Sequence, residues 1–181
     1  NPLASMSASI EMLKTTIPVV SMSDENQRLM DIAIREIDRL NLLISEFLDF
    51  VKPDQFKIDT VDLSRLLREI VLAIGGIREY SRIRIEEKIA IRVLVRGNTE
   101  KLKQGLWNLM MNAVQAIPDQ GVVEVGCDEA NGRTVRFWVQ DTGVGMTEEV
   151  LAHLYEPFCT TKASGTGLGL ATVYRIVDVH N

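Results

Sequence analysis

The chain has 181 residues, 46% of them hydrophobic and 25% charged, with a formal net charge of −5. That is enough apolar material for one core and a smaller module, and the acidic balance, without clustered Lys and Arg, gives no nucleic-acid surface. Cys127 and Cys159 make neither a metal spacing nor a disulfide framework and point to a reducing compartment, and no apolar run reaches membrane-spanning length.

The chain opens without Met, at Asn1-Pro2-Leu3-Ala4-Ser5, and reads as part of a longer cytoplasmic protein whose membrane segments, if it has any, lie elsewhere. Leu3, Met6, Ile10, Leu13 and Ile17 recur at steps of three and four, a heptad seam on one helix that Pro18 ends. Ser23 or Asp24 can cap a second helix, whose stripe runs through Leu29, Ala33, Ile37, Leu40, Ile44, Phe47 and Val51. Met30, Leu43 and Phe50 widen it, as a bundle requires. Residues 1–52 therefore predict a helical hairpin that dimerises into a four-helix bundle. The plainer alternative is a hairpin folded onto its own C-terminal domain.

Lys52-Pro53-Asp54 stops the second helix, and 53–56 form a linker to a domain over 57–181. Lys57–Val61 is a short strand. Asp62 caps a helix to about Arg78 with Leu63, Leu66, Leu67, Ile70, Val71 and Ile74 inward. Alternation at Ile83, Ile85, Ile89, Ile91, Val93 and Val95 marks strands. Gly97-Asn98 is a turn and cap for a helix from Thr99 to about Ile117, closed by Pro118. Val122–Cys127 and Thr134–Gln140 form a hairpin around Asn131-Gly132. The order β-α-β-β-α-β-β, then glycine loops and a last helix, predicts an α+β domain with its helices on one side of a mixed sheet.

The chemistry concentrates in two places. Asn108 and Asn112 lie four apart on one face of an otherwise apolar helix. Amides so placed need partners, and either they tie down neighbouring backbone or an amide oxygen helps hold Mg²⁺, which takes hard oxygen ligands. The second place is Asp141–Ala171, where five glycines fall in two clusters, Gly143 and Gly145, then Gly165, Gly167 and Gly169. Glycine at that density serves positive φ or close approach to a ligand. The second cluster runs into an apolar helix whose N-terminus suits a phosphate. Asp141 fits either a plain turn or a base amino group, and Lys162 either a solvated loop or a phosphate. Phe158 anchors the loop or belongs to the core. No G-x-x-x-x-G-K-[ST], no G-x-G-x-x-G and no H-R-D or D-F-G signature is present.

In this order, N-L-M-M-N-A, D-T-G-V-G-M, E-P-F-C-T-T-K and G-T-G-L-G-L-A resemble the N-box, first glycine box, F-box and second glycine box of two-component sensor histidine kinases. Their ATP-binding domain belongs with those of gyrase, the heat-shock chaperone and MutL. The short spacing T-T-K-A-S-G-T-G resembles the nitrogen-regulation and pilus sensor branch. The resemblance implies an α+β chain, a dimeric helical hairpin followed by an α/β sandwich, cut at both ends.

It also implies roles. Asn112 is the Mg²⁺ ligand with Asn108 one turn before it, and Asp141 is the adenine contact with Gly143 and Gly145 lining the nucleotide. Lys162 and Gly165-Thr166-Gly167-Leu168-Gly169-Leu170 serve the phosphates of ATP, and 147–164 form a lid. A phosphoryl group would pass from ATP to a hairpin histidine and on to an aspartate of a response regulator receiver domain docked on the hairpin. In relatives the motif resembles H-E-I-R-N-P-L-A-S, so the acceptor His is expected four residues upstream of Asn1. Neither His153 nor His180 fits that role; both read as structural or solvent-exposed. The family continues past V-D-V-H-N with two more strands, and Gln115 stands where some relatives place a basic phosphate contact. Hydrolytic relatives carry Glu at the position of Asn108, and an amide cannot act as a general base, which favours a kinase. The competing expectations are a regulatory nucleotide-binding module without catalysis and an ATP-gated structural dimer.

Overall fold

The computed structural model describes residues 2–16, 24–51, 57–130, 132, 134–162 and 165–180. The breaks expected at Pro18 and Pro53, the cap at Ser23 and the turn residue Asn131 lie outside them. Two units are distinguished: Asn1–Lys52 with Thr160–Thr166, and Pro53–Cys159 with Gly167–Asn181.

In the first unit, helix α1 (Pro2–Thr16) packs on helix α2 (Asp24–Val51). Ile37 is buried, whereas Leu40, Ile44, Phe47 and Val51 of the expected stripe stay exposed. Their steps of four, three and four put them on one face of α2.

Among the described residues the second unit is built on five strands. Strand β1 (Asp59–Asp62) pairs antiparallel with β3 (Leu94–Gly97), Val61 opposite Val95. Strand β2 (Ile83–Ile89) runs parallel to β4 (Gly121–Glu129), which pairs antiparallel with β5 (Val135–Asp141). The mixed sheet is thus β2-β4-β5, and β1 with β3 forms a separate ribbon among the described residues. The register sorts the side chains. Ile85 opposes Val123, Val125 opposes Val139 and Cys127 opposes Phe137, all on the core side. The alternate positions Glu86, Glu124, Lys88 and Arg136 are polar, as a half-solvated sheet requires.

Helix α3 (Leu63–Gly75) is capped by Asp62, whose Oδ1 accepts the Arg65 N–H at 3.0 Å. It ends three residues before the expected Arg78. The paired glycines Gly75 and Gly76 are poor helix formers, and the chain breaks there into a single 3₁₀ turn at Arg78–Tyr80. Helix α4 (Thr99–Ala116) is capped as expected by Asn98, whose Oδ1 accepts from Lys101 N–H at 3.0 Å. Ile91 departs from the reading. It is 91% exposed in the bend between β2 and β3, and Val93 takes the inward place instead.

Leu67, Ile70, Leu106, Met110, Val114, Val123 and Val125 form the dry centre of the core. Cutting any of the large ones to Ala costs about 2–5 kcal/mol. Ser64, a buried polar side chain there, accepts the Val93 N–H at 2.9 Å and lies 3.7 Å from Cys127 Sγ. Burial pushes the Cys127 thiol above its ordinary range, so this cysteine is core rather than chemistry. A short helix α5 (Glu148–Ala152), capped by Thr147, and helix α6 (Gly169–His180) complete the unit. No helix among the described residues is long and apolar enough to cross a membrane.

Candidate nucleotide-binding site

Helix α4 turns its core face (Leu106, Met110, Ala113, Val114) inward, which leaves Asn108 and Asn112 half-buried on another face. The first turn of α6 lies against them. Asn108 Nδ2 donates to the Gly169 carbonyl at 3.3 Å. A side chain begun at Gly169 would meet Asn108 Cγ and Asn112 Nδ2, each at 3.9 Å. Two amides and the start of a helix are therefore neighbours. Thr172 N–H reaches the Leu168 carbonyl at 2.9 Å, so the N–H groups of Gly169, Leu170 and Ala171 precede the first such bond of α6. Leu168 and Ala171 are buried and anchor the turn, so Leu168 contributes backbone only.

Gly167 has φ 72°, and a Cβ there would stand 2.4 Å from the Phe158 carbonyl carbon. Phe158 itself holds φ 68° and donates its N–H to the Gly167 carbonyl at 3.0 Å. The F-box and second glycine box are thus clasped backbone to backbone, a role for Phe158 that neither the anchor nor the core reading includes. Its ring is exposed.

Asp141 ends β5 opposite Val123, on the side of the sheet that α3 and α4 cover. Its Oδ1 accepts the Gly143 N–H at 2.8 Å. Val144 N–H donates to the Ala116 carbonyl at 3.0 Å, and a Cβ at Gly143 would stand 2.5 Å from that same oxygen. The first glycine box is therefore pinned to the end of α4. Thr142, not singled out in the sequence, locks the turn by accepting the Val122 N–H at 3.0 Å. Gly145 has φ 70° with open space where a side chain would stand.

Lys162, Gly165 and Thr166 belong to the first unit. There Thr166 Oγ1 donates to the Glu46 carboxylate, Lys162 N–H donates to Thr160 Oγ1 at 3.1 Å, and Gly165 N–H donates to the Lys162 carbonyl at 3.1 Å. Burial lowers the Lys162 ammonium below the usual lysine range. Of the histidines, His153 is exposed and sits 3.0 Å from Glu156. His180 is half-buried and bonded at both ring nitrogens. A groove lined by Val71, Leu72, Gly75, Tyr80 and Ile83 contains none of the motif residues.

Paired amides on one helix, the glycine-rich start of another and a carboxylate at the sheet's end thus belong to one α/β domain, which follows a helical hairpin in the chain. Residues 97–181 match the family described as histidine kinase-, DNA gyrase B- and HSP90-like ATPase, and residues 1–56 match the His Kinase A (phospho-acceptor) domain. The chain belongs to the two-component sensor histidine kinases and comprises their catalytic core. It is 36% identical over 183 residues to sensor histidine kinase ZraS of Klebsiella oxytoca, covering 99% of this chain and 38% of that protein. Sporulation kinase B of Bacillus subtilis (strain 168) is 29% identical over 182 residues, covering 100% of this chain and 42% of that protein. Among solved structures, full-length ShkA in complex with AMPPNP superposes with a TM-score of 0.71 at 25% identity, covering 98% of this chain and 40% of that one. The catalytic domain of histidine kinase ThkA gives 0.62 at 29% identity, covering 69% and 82%.

Proposed function

We propose that the second unit binds ATP with Mg²⁺ between α4 and α6, and that the whole protein is an ATP-dependent protein-histidine kinase. It transfers the γ-phosphoryl group to a histidine of the hairpin, outside this chain, and from there to an aspartate of a response regulator receiver domain. The observation that carries this reading is the seating of Gly169 against both Asn108 and Asn112. It brings two side-chain amides, a residue type whose oxygen is a hard donor, and the positive end of a helix to one spot, as a metal-bound triphosphate needs.

In this reading Asn112 offers its amide oxygen to Mg²⁺, which when bound neutralises phosphate charge. The N–H groups of Gly169 and Leu170 donate to phosphate oxygens, and the Leu168 side chain keeps that turn in place. Asp141, oriented by Gly143, accepts from the adenine amino group, and the open space at Gly145 lets the ring lie close. Lys162, in the 147–164 lid, and Gly165 and Thr166, which follow it, serve the phosphates. A phosphate beside Lys162 would lift its ammonium back toward the ordinary range. The AMPPNP bound to ShkA supports an adenine nucleotide as ligand. Asn108, whose amide is committed to the Gly169 carbonyl, is no base for water and supports a kinase over a hydrolase. The short spacing between F-box and second glycine box supports the nitrogen-regulation and pilus branch. The exposed face of Leu40, Ile44, Phe47 and Val51 supports a homodimer through the hairpin.

The test is direct. The whole protein, given γ-labelled ATP and Mg²⁺, should acquire an acid-labile, base-stable phosphoryl group and lose it to its receiver domain. Asp141→Asn should abolish the labelling. Acid-stable label, or no ATP·Mg²⁺ binding by calorimetry, rejects the reading.

A further inference from the structure

His180, the last residue of α6, closes a second tie between the two helices of the proposed site. Asn98 N–H donates to its Nε2 at 3.0 Å, and its Nδ1 lies 2.6 Å from the Ile176 carbonyl. A carbonyl only accepts and a backbone N–H only donates, so both contacts hold in a single form of the ring: neutral, with the proton on Nδ1. Asn98 is also the cap of α4, its side chain holding Lys101 N–H. The ring lies on Gly97, where a Cβ would stand 2.6 Å from His180 Cδ2 and 2.9 Å from Nε2. Between the two ties, Gly105 on α4 faces Ile176 on α6, a Cβ there standing 3.6 Å from Cδ1. Helix α6 is therefore fixed on α4 at one end through Asn108 and Gly169 and at the other through Asn98 and His180, with a close glycine contact between.

We propose that His180 is a positioning residue for the nucleotide site. Its neutral Nδ1–H imidazole sets the register of α6 along α4, and so the distance from the Gly169 turn to Asn108 and Asn112. The inference rests on the proposed nucleotide reading for its consequence, though the tie itself is independent of it. A 12-residue helix transmits a shift at one end to the other with little loss.

The test uses the chain as described, with ATP·Mg²⁺ as probe. His180→Leu should weaken binding about tenfold, roughly the effect of one half-buried charge-free hydrogen bond plus the misplacement that follows. His180→Gln, whose amide oxygen reaches the former Nε2 position, should recover most of the affinity. Gly97→Ala should weaken binding similarly by pushing the ring off Asn98. In a His180→Ala background there is no ring to displace and only the flexible end of Leu102, whose Cδ1 would stand 2.9 Å from that Cβ, has to give, so it should cost much less. ¹⁵N spectra of the imidazole should show the Nδ1–H tautomer at neutral pH. An Nε2–H tautomer, additive costs for Gly97→Ala and His180→Ala, or lowered melting temperature with unchanged affinity overturns the proposal. If the unsubstituted chain binds no ATP·Mg²⁺, the nucleotide reading fails instead. The tie is then judged by the Asn108 side-chain amide resonance, which should move in His180→Leu and return in His180→Gln. An unmoved resonance rejects it.

Discussion

The Asn108 side chain on α4 holds the carbonyl of Gly169, the first residue of α6, across 61 positions of chain at 3.3 Å. This bond joins the N-box to the second glycine box, and it makes Asn108 a donor. Asn108→Asp would set a carboxylate against that carbonyl and, in the proposed site, against phosphate. We expect a stability loss of about 1–3 kcal/mol in urea unfolding. ATP·Mg²⁺ affinity should fall by at least about tenfold by calorimetry. Unchanged affinity would show that this face of α4 does not meet the nucleotide.

The two positive-φ glycines of the nucleotide boxes should respond differently to the same change. At Gly145 an added methyl meets open space, so Gly145→Ala should cost only the left-handed backbone strain, about 1–2 kcal/mol. At Gly167 it meets the backbone of Phe158 and Cys159 at 2.4–2.7 Å, atoms that cannot rotate away. Gly167→Ala should cost about 2–4 kcal/mol in total. It should also break the clasp between the Phe158 N–H and the Gly167 carbonyl, seen as faster exchange of the Phe158 amide. Equal costs at the two sites would mean that the clasp carries no energy.

The contrast between these glycines shows what a linear reading could reach. That both are special is legible, because glycine density signals unusual backbone. That Gly167 alone is locked by Phe158 is a tertiary fact. Local signals read true where the competing forces are local: Asp62 and Asn98 cap the helices that follow them, and Gly132 takes its turn conformation at φ 73°. Alternation misled at Ile91, because a hydrophobic residue in a bend carries the same letter as one in a strand. The strand order β2-β4-β5 and the splitting off of β1 with β3 depend on pairings far apart in sequence, which periodicity does not encode. The same holds for His180. It reads as an incidental histidine until Gly97 and Asn98 are folded beneath it.

The exposed face of α2 predicts association. Leu40, Ile44, Phe47 and Val51 are each between 44% and 56% exposed, a continuous apolar strip that water disfavours. Sedimentation equilibrium should give a dimer. Ile44→Glu, which places a charge in the middle of the strip, should weaken the dimer by at least about 100-fold, an effect of hot-spot size. Circular dichroism should show the helix content retained. A monomer in the unsubstituted chain at micromolar concentration sinks the dimer.

The polar face of the sheet carries a pH signature. Lys88 Nζ bonds Glu124 Oε2 at 2.5 Å, and Trp138 Nε1–H donates to Glu124 Oε1 at 3.0 Å. The Lys88 hydrogen bond, then that of Trp138, holds the Glu124 carboxyl below its usual range, and the Glu124 hydrogen bond raises Lys88. A carboxylate depressed in the folded state contributes stability that is present above its unfolded value and lost as pH falls through the folded one. A raised lysine contributes stability that is present below its unfolded value and lost as pH rises through the folded one. The pair therefore works across the neutral range and fails at both extremes. Both groups are solvated, so the amplitude is small. Glu124→Gln should flatten the acid limb of the stability curve below the ordinary glutamate range. It should also shift the Trp138 fluorescence, because the group accepting the indole N–H loses its charge while Arg136 stays 5.2 Å from the indole centre. An acid limb unchanged by Glu124→Gln would place the titrating group elsewhere.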